Sequence, residues 1–253
     1  MKRIESPQNA LVKHWKKLVN VRKERDKTGE FIVEGYHLVE EAIKQKSNVL
    51  SIIISDSSHI PANWDVEGIQ VVEIHDDIKD ELAETEHTQG IFAHCKQQAN
   101  DQDITSWKKV LLVDAVQDPG NIGTMIRTAD AAGIDAIVLG KGSADAYNPK
   151  TLRSAQGSHF HIPIVKGDLN WWIEKLKEQG IQIYGTALQD ATPYNEVTGG
   201  DSFALIVGNE GSGIKEEFLR QTDRNILVPL LGQAESLNVA VATGILLYGL
   251  TLK

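Results

Sequence analysis

From Trp107 onward, short continuous apolar runs alternate with segments of helical periodicity, and this rhythm constrains the fold more than any other feature. The runs are Val110–Val113, Ile134–Leu139, Ile162–Val165, Ile181–Thr186, Phe203–Val207 and Ile226–Val228. They are rich in β-branched residues and apolar at successive rather than alternate positions, as befits strands covered on both faces. Helices read between them. One runs from the Asp118-Pro119-Gly120-Asn121 turn to about Ala132, one covers Lys150–Gln156, one covers Trp171–Gln179, and one starts at Lys215. A nearly all-apolar helix begins around Leu237. Strands alternating with helices predict an α/β domain with a parallel sheet, here over residues 108–253.

The front of the chain has a different texture. Residues 7–27 show helical spacing, with Leu11, Trp15, Leu18 and Val19 on one face. Strands are expected at Phe31–Val33, Val49–Ser55, Ile69–Ile74 and Gly90–His94, and an amphipathic helix over Tyr36–Lys44. This predicts a small α/β sandwich over residues 1–95, followed by a polar linker at 96–107. The net charge of the 253 residues is −9, which taken alone argues against a nucleic-acid partner. Its distribution reverses that inference. Residues 1–27 hold nine lysines and arginines against three carboxylates, a local balance of +6 that leaves −15 on the remainder. A basic segment on an acidic body marks a polyanion contact, whose affinity would fall steeply with salt.

Other classes are disfavoured. The N-terminal residues are charged throughout, with no secretory apolar core. The C-terminal apolar helix, at about 16 residues, is short of the roughly 20 that span a bilayer. The single cysteine, Cys95, excludes an internal disulfide and suits a reducing cytoplasm. His159 and His161 read as structural residues, and no metal is expected.

Ligands of open parallel sheets collect beyond the carboxyl ends of the strands. Four loops there are rich in glycine and polar groups: Asp118–Asn121, Thr186–Asp190, Gly208–Gly213 and Gly232–Asn238. Gly208 and Gly213 match the frame of a phosphate-binding P-loop, but Ile214-Lys215 follow where Lys then Ser or Thr are required. Glu210 would repel a phosphate and suits a neutral or cationic ligand. Asn121 falls at a plausible helix N-cap, and Arg127, with Gly123 four residues before it, lies in a helix expected to be well buried. In the last stretch Ser236 is the favoured cap residue and Asn238 belongs to the first turn.

Together, the Asn121…Arg127 helix, the Gly208-Asn209-Glu210-Gly211 loop and the Ser236-Leu237-Asn238 turn resemble the three motifs of the SpoU family. These are ribose 2′-O-methyltransferases of the SPOUT superfamily. The Asn148-Pro149…Arg153-Ser154-Ala155…Gly157 segment also fits, and Phe31–Gly35 resembles the start of the family's RNA substrate-binding domain. The resemblance implies a deep C-terminal trefoil knot holding S-adenosylmethionine, and a homodimer with the last helix at or near its interface. It places cofactor contacts at Thr186, Ala187, Leu188, Gly208, Val228 and Leu237. It makes Asn121, Arg127, Glu210, Ser236 and Asn238 the catalytic set. The implied reaction is in-line attack of a ribose 2′-hydroxyl on the cofactor methyl group. Arg127 then serves as a clamp on RNA phosphate and a stabiliser of charge on the 2′-oxygen, since a guanidinium is a poor base. Structured RNA is the implied substrate, ribosomal in preference to transfer RNA because a separate binding domain comes first. The competing readings are a transfer-RNA ribose methyltransferase, a base-methylating relative and a non-catalytic RNA-binding protein.

Overall fold

Asn9 starts the first long helix: its side chain accepts the Leu11 N–H at 2.9 Å, satisfying one of the donors a helix N-terminus leaves free. The computed structural model describes residues 2–84, 87–98 and 104–252. Residues 99–103, in the expected linker, lie outside the described residues. The chain divides into two compact units, Met1–Ala99 with Tyr147–Phe160, and Asn100–Ala146 with His161–Lys253.

The first unit begins with β1 (Lys2–Ile4). The single helix expected over 7–27 is two, α1 (Ala10–Asn20) and α2 (Arg22–Thr28), separated by an extended Val21. Arg25 explains the break. Its guanidinium is buried and donates to the carbonyls of Leu18 and Val19, the latter at 2.8 Å, satisfying acceptors at the end of α1. Arg25 is therefore part of the fold and leaves the set of polyanion contacts. There follow β2 (Glu30–Glu34), α3 (Tyr36–Lys44), β3 (Val49–Ser55), β4 (Gln70–Ile74), α4 (Asp76–Leu82) and β5 (Ile91–Lys96). The sheet order is β1-β4-β3-β5-β2, with β1, β4 and β3 parallel and β5 antiparallel to both its neighbours. Trp15, Leu18, Ile53, Ile74, Ile78 and Phe92 pack its core.

The second unit holds β6 (Lys109–Val113), α5 (Pro119–Ala131) and β7 (Ala136–Leu139). Next comes α6 (Pro149–Ala155), on a segment that packs with the first unit and not, as the sequence boundaries had it, with the second. Phe31 explains this: its ring lies 4.7 Å from that of Tyr147 and 6.0 Å from that of Phe160. Arg153 adds an ion pair with Glu84 at 2.6 Å. The second unit resumes with β8 (Ile164–Lys166), α7 (Leu169–Glu178), β9 (Gln182–Thr186), β10 (Thr192–Pro193) and β11 (Phe203–Val207). It ends with α8 (Glu216–Leu219), β12 (Arg224–Leu227) and α9 (Val239–Thr251). All pairings in its sheet are parallel, in the order β10-β12-β9-β11-β6-β7-β8. Every residue of β11 is buried, which accounts for its uninterrupted apolar run. Because β12 lies between β9 and β10, the short connection at 187–191 has to pass across β12. Among the described residues no helix is long and apolar enough to cross a membrane.

Candidate active site

Strand order decides where the site lies. β12, β9, β11 and β6 are consecutive neighbours in a parallel sheet, so their carboxyl ends sit side by side at intervals of about 4.8 Å. The loops after these four strands are the glycine-rich and polar ones. One direct link runs between the first two, from the Ala187 N–H to the Ile226 carbonyl at 3.2 Å.

The chain leaves β6 through Ala115, which holds a left-handed φ of 56°. A non-glycine residue there costs about 1–3 kcal/mol and persists only where its surroundings fix it. Here the Ala115 carbonyl accepts from Asn209 Nδ2 at 2.9 Å. The same Asn209 closes its own loop, since its Oδ1 accepts the N–H groups of Gly211 at 2.9 Å and Ser212 at 3.1 Å. Gly208 is required by close chain approach: a Cβ there would stand 2.2 Å from the Gly213 carbonyl carbon.

Asp118, and not Asn121, caps α5, accepting the Asn121 N–H at 2.9 Å. The Asp-Pro pair ahead of an apolar helix is a start signal that sequence reasoning passed over. This leaves the Asn121 side chain free for other work. Its Nδ2 donates to Glu210 Oε1 at 3.0 Å, and its Oδ1 accepts from Asn238 Nδ2 at 3.0 Å. A carboxylate only accepts, so the orientation of both amides is fixed by the chain of bonds. Asn238 Oδ1 accepts the N–H groups of Ala240 and Val241, at 2.9 and 3.3 Å, and so caps α9. Ser236, the expected cap, is instead exposed. One asparagine therefore both starts the last helix and joins the site.

Glu210 completes the cluster. Its carboxylate also accepts the backbone N–H groups of Gln117 and Asp118, each at 3.3 Å. Burial pushes its pKa up, but the Asn121 amide and the backbone donors outweigh that and hold it below the usual carboxylate value. Glu210 is thus an ionised strut tying three loops together, already supplied with donors from the protein.

The structure does not bring all the expected residues into this cluster. Arg127 is exposed and has no partner among the described residues. Its helix is well buried, as expected, through Ile122, Gly123, Met125, Ile126 and Ala129, and Arg127 stands on the opposite, exposed face. Six residues of helix set Arg127 about 9 Å along the axis from Asn121 and on a different face. Asn121 consequently orients Glu210 and Asn238 rather than Arg127. Ser236 makes no hydrogen bond to the cluster. Of the expected cofactor contacts, Gly208 is buried, while Thr186, Ala187, Val228 and Leu237 are half-buried at the ends of β9 and β12 and before α9. Leu188 is 71% exposed and Leu231 98% exposed.

Those bare leucines test the fit of S-adenosylmethionine. Large apolar side chains beside adjacent strand ends offer walls for an uncharged ring, and the backbone between them offers donors and acceptors. Glu210 has its lone pairs engaged, so nothing there opposes a cationic sulfonium. The residues present fit the group.

A second carboxylate-centred cluster lies in the first unit. Glu30 Oε2 accepts from His14 Nε2 at 2.7 Å and His94 Nε2 at 2.9 Å. Residues of these types at this spacing can hold a metal. Trp15 argues otherwise: its Nε1–H points at His94 Nδ1 at 3.4 Å, which places the His94 proton on Nε2 and directs it to Glu30. That nitrogen has no lone pair left for a cation. The cluster is a hydrogen-bonded tie between α1, β2 and β5.

Comparison with known proteins agrees with this geometry. Residues 108–248 match the SpoU rRNA Methylase family, and residues 9–93 match the MRM3-like substrate binding domain. The chain belongs to the SpoU family, and it is an S-adenosylmethionine-dependent RNA methyltransferase. It is 55% identical, over 99% of both chains, to the 23S rRNA (guanosine(2553)-2′-O)-methyltransferase RlmP of Bacillus subtilis (strain 168). Among solved structures it is similar to an AdoMet-bound rRNA methyltransferase from Sinorhizobium meliloti, with a TM-score of 0.86 and 29% identity over 98% of this chain and 96% of that one. It is also similar to the SpoU methyltransferase AviRb from Streptomyces viridochromogenes in complex with AdoMet, with a TM-score of 0.84 and 27% identity over 97% and 98%.

Proposed function

We propose that the chain methylates the ribose 2′-hydroxyl of a guanosine in 23S ribosomal RNA, acting in the cytoplasm. The observation that carries this reading is the Glu210–Asn121–Asn238 chain of hydrogen bonds, which joins the loops after β6, β11 and β12 beside the bare apolar strand ends. The cofactor, when bound, supplies an electrophilic methyl group. Thr186, Ala187, Leu188, Val228 and Leu237 would hold its adenosine, with the turn at Gly208 keeping the neighbouring backbone close. The knot implied by the family resemblance is supported by the insertion of β12 between β9 and β10.

Most of the chemistry assigned to the protein is positioning. Asn121, Glu210 and Asn238 hold the three loops in one geometry. Arg127, exposed and without a partner among the described residues, would bind an RNA phosphate and stabilise charge growing on the 2′-oxygen. Ser236 lies on the exposed loop before α9, where a bound nucleotide would meet it.

RNA affinity is assigned to the first unit. Arg3, Lys16 and Arg22 are engaged by carboxylates, whereas Lys13, Lys17, Lys23 and Lys27 are exposed and have no partner among the described residues. They form two pairs at helical i,i+4 spacing, one on α1 and one on α2. Like charges so placed destabilise a helix, which makes sense if a polyanion neutralises them.

A homodimer is supported by α9. Its inner residues, among them Leu246, Leu247 and Leu250, are buried, but Val241, Tyr248 and, just past its end, Leu252 are exposed, with Ile245 half-buried in the same outward apolar stripe at i, i+4, i+7 and i+11. A second copy of the chain would cover it. Mass spectrometry of 23S rRNA from a deletion strain tests the reaction. One ribose methyl should disappear, return with the wild-type gene and stay absent with Arg127→Ala. An unchanged methylation profile would refute the proposed substrate.

A further inference from the structure

Asp114 is a buried carboxylate that none of the family motifs discussed above includes. It directly follows β6, is 1% exposed, and neighbours the left-handed Ala115. Its Oδ2 accepts the backbone N–H of Lys215 at 2.8 Å, and its Oδ1 lies 3.2 Å from Lys215 Nζ. Lys215, half exposed, is one of the two residues, with Ile214, that kept the Gly208 loop from matching a P-loop. Its placement now has a different meaning.

The two loops carrying the site lie against each other like the sides of a ladder. The Asp114 N–H donates to the Val207 carbonyl at 2.8 Å. Asn209 reaches the Ala115 carbonyl, and Glu210 receives Gln117, Asp118 and Asn121. The Gly208–Gly213 hairpin is narrow at its neck, where Asn209 and Gly213 exchange backbone bonds at 2.9 and 3.0 Å. Glu210 stands at its tip. Just beyond the neck, Asp114 grips Lys215 by both backbone and side chain. We infer that Asp114 and Lys215 are positioning residues, which set the neck of this hairpin and through it the place of the Glu210 carboxylate.

Two physical facts separate this from a plain stabilising ion pair. Taking a carboxylate out of water to meet a half-solvated ammonium gives little net stability, and an apolar pair would serve as well. Moreover, the grip includes a main-chain N–H, so it fixes where the chain runs and not merely how firmly it packs. The pair acts through Glu210, and the inference rests on the methyltransferase reading of that site.

The test is steady-state methyl transfer to 23S rRNA by purified Asp114→Asn, Lys215→Met and the double variant, well below each variant's Tm. Each single change should lower kcat about tenfold while the KM for RNA and the calorimetric Kd for S-adenosylmethionine move less than twofold. The double variant should be no slower than either single one, because the two residues act as a unit. Lys215→Arg should restore kcat to within threefold of the wild type. Wild-type kcat in the single variants, with only Tm lowered, would overturn the inference. So would independent losses that multiply in the double variant. If the wild-type protein itself transferred no methyl group, the failure would belong to the functional reading instead.

Discussion

Glu30 and Glu210 are both carboxylates at the hub of a polar cluster, and both are held below the usual carboxylate pKa, yet they do different work. Around Glu30, burial pushes the pKa up, but the imidazoles of His14 and His94 outweigh it with hydrogen bonds and charge. Around Glu210 the donors are backbone N–H groups and the Asn121 amide, none of which titrates. One hub is therefore sensitive to pH and ties elements of a fold. The other keeps its geometry across neutral and mildly acidic pH and ties loops of a site. The difference teaches that a depressed carboxylate marks function only through what its donors are attached to.

The sharpest way to break the comparison is to remove each hub. Glu210→Ala leaves two backbone donors and the Asn121 amide without their acceptor. Methyl transfer should fall about 100-fold or more, by misplacing groups that must be held to within an ångström, with a modest loss of Tm. Glu30→Gln should instead leave kcat near the wild-type value. It should destabilise the first unit by about 1–3 kcal/mol, read by denaturant unfolding, because one amide oxygen replaces a carboxylate that met two imidazole donors.

Asn238→Asp separates capping from site chemistry at one position. Aspartate is as good a cap as asparagine, so Tm should hold. The Nδ2 donor to Asn121 disappears and a second negative charge enters near Glu210. A tenfold or larger loss of kcat is expected, and activity equal to wild type would show that the Asn238–Asn121 bond plays no part.

Acidification should act on the first hub. Burial holds His94 below its ordinary pKa of 6.5 despite the pull of Glu30, so the folded state favours its neutral form. That contribution to stability is complete above about pH 6.5 and is lost as pH falls through and below it. Glu30 adds a second loss below its ordinary value of 4.5. Hydrogen exchange at pH 5 should therefore rise in peptides spanning Ala10–Glu34 while those spanning Lys109–Arg127 keep their protection. Equal loosening of both would erase the distinction. The smallest effect belongs to the surface: Lys13→Gln with Lys17→Gln should weaken RNA binding and reduce the salt dependence by about one unit of slope per lysine.

Much of this was legible in the sequence because it is written in local periodicity. The runs that became β6, β9 and β11 are continuous and apolar, and their both-sides burial is what a parallel interior demands. By contrast, β1 and α4 escaped notice. The first is three residues with one buried, Ile4, and the second buries only Ile78 and Leu82, too few positions to show a period. Residues 7–27 read as one helix because no proline or glycine interrupts them, whereas the break depends on Arg25 reaching back seven residues to a carbonyl. The site was legible as three loops, since each concentrates glycine and amide residues. Which side chains meet was not.

By itself, then, the sequence determined the strand and helix rhythm, the parallel sheet it requires, the basic front segment and the three loops that bear asparagine, glutamate and serine. Only the tertiary structure decided that Asp118 caps α5, that Asn238 caps α9 and also reaches Asn121, that Ser236 and Arg127 stand apart, and that residues 147–160 pack on Phe31. The physical reason is one of range. Periodicity and helix-start signals come from neighbours a few residues apart, whereas the bond from Asn238 to Asn121 spans more than a hundred residues and exists only once the order β12-β9-β11-β6 brings the strand ends together.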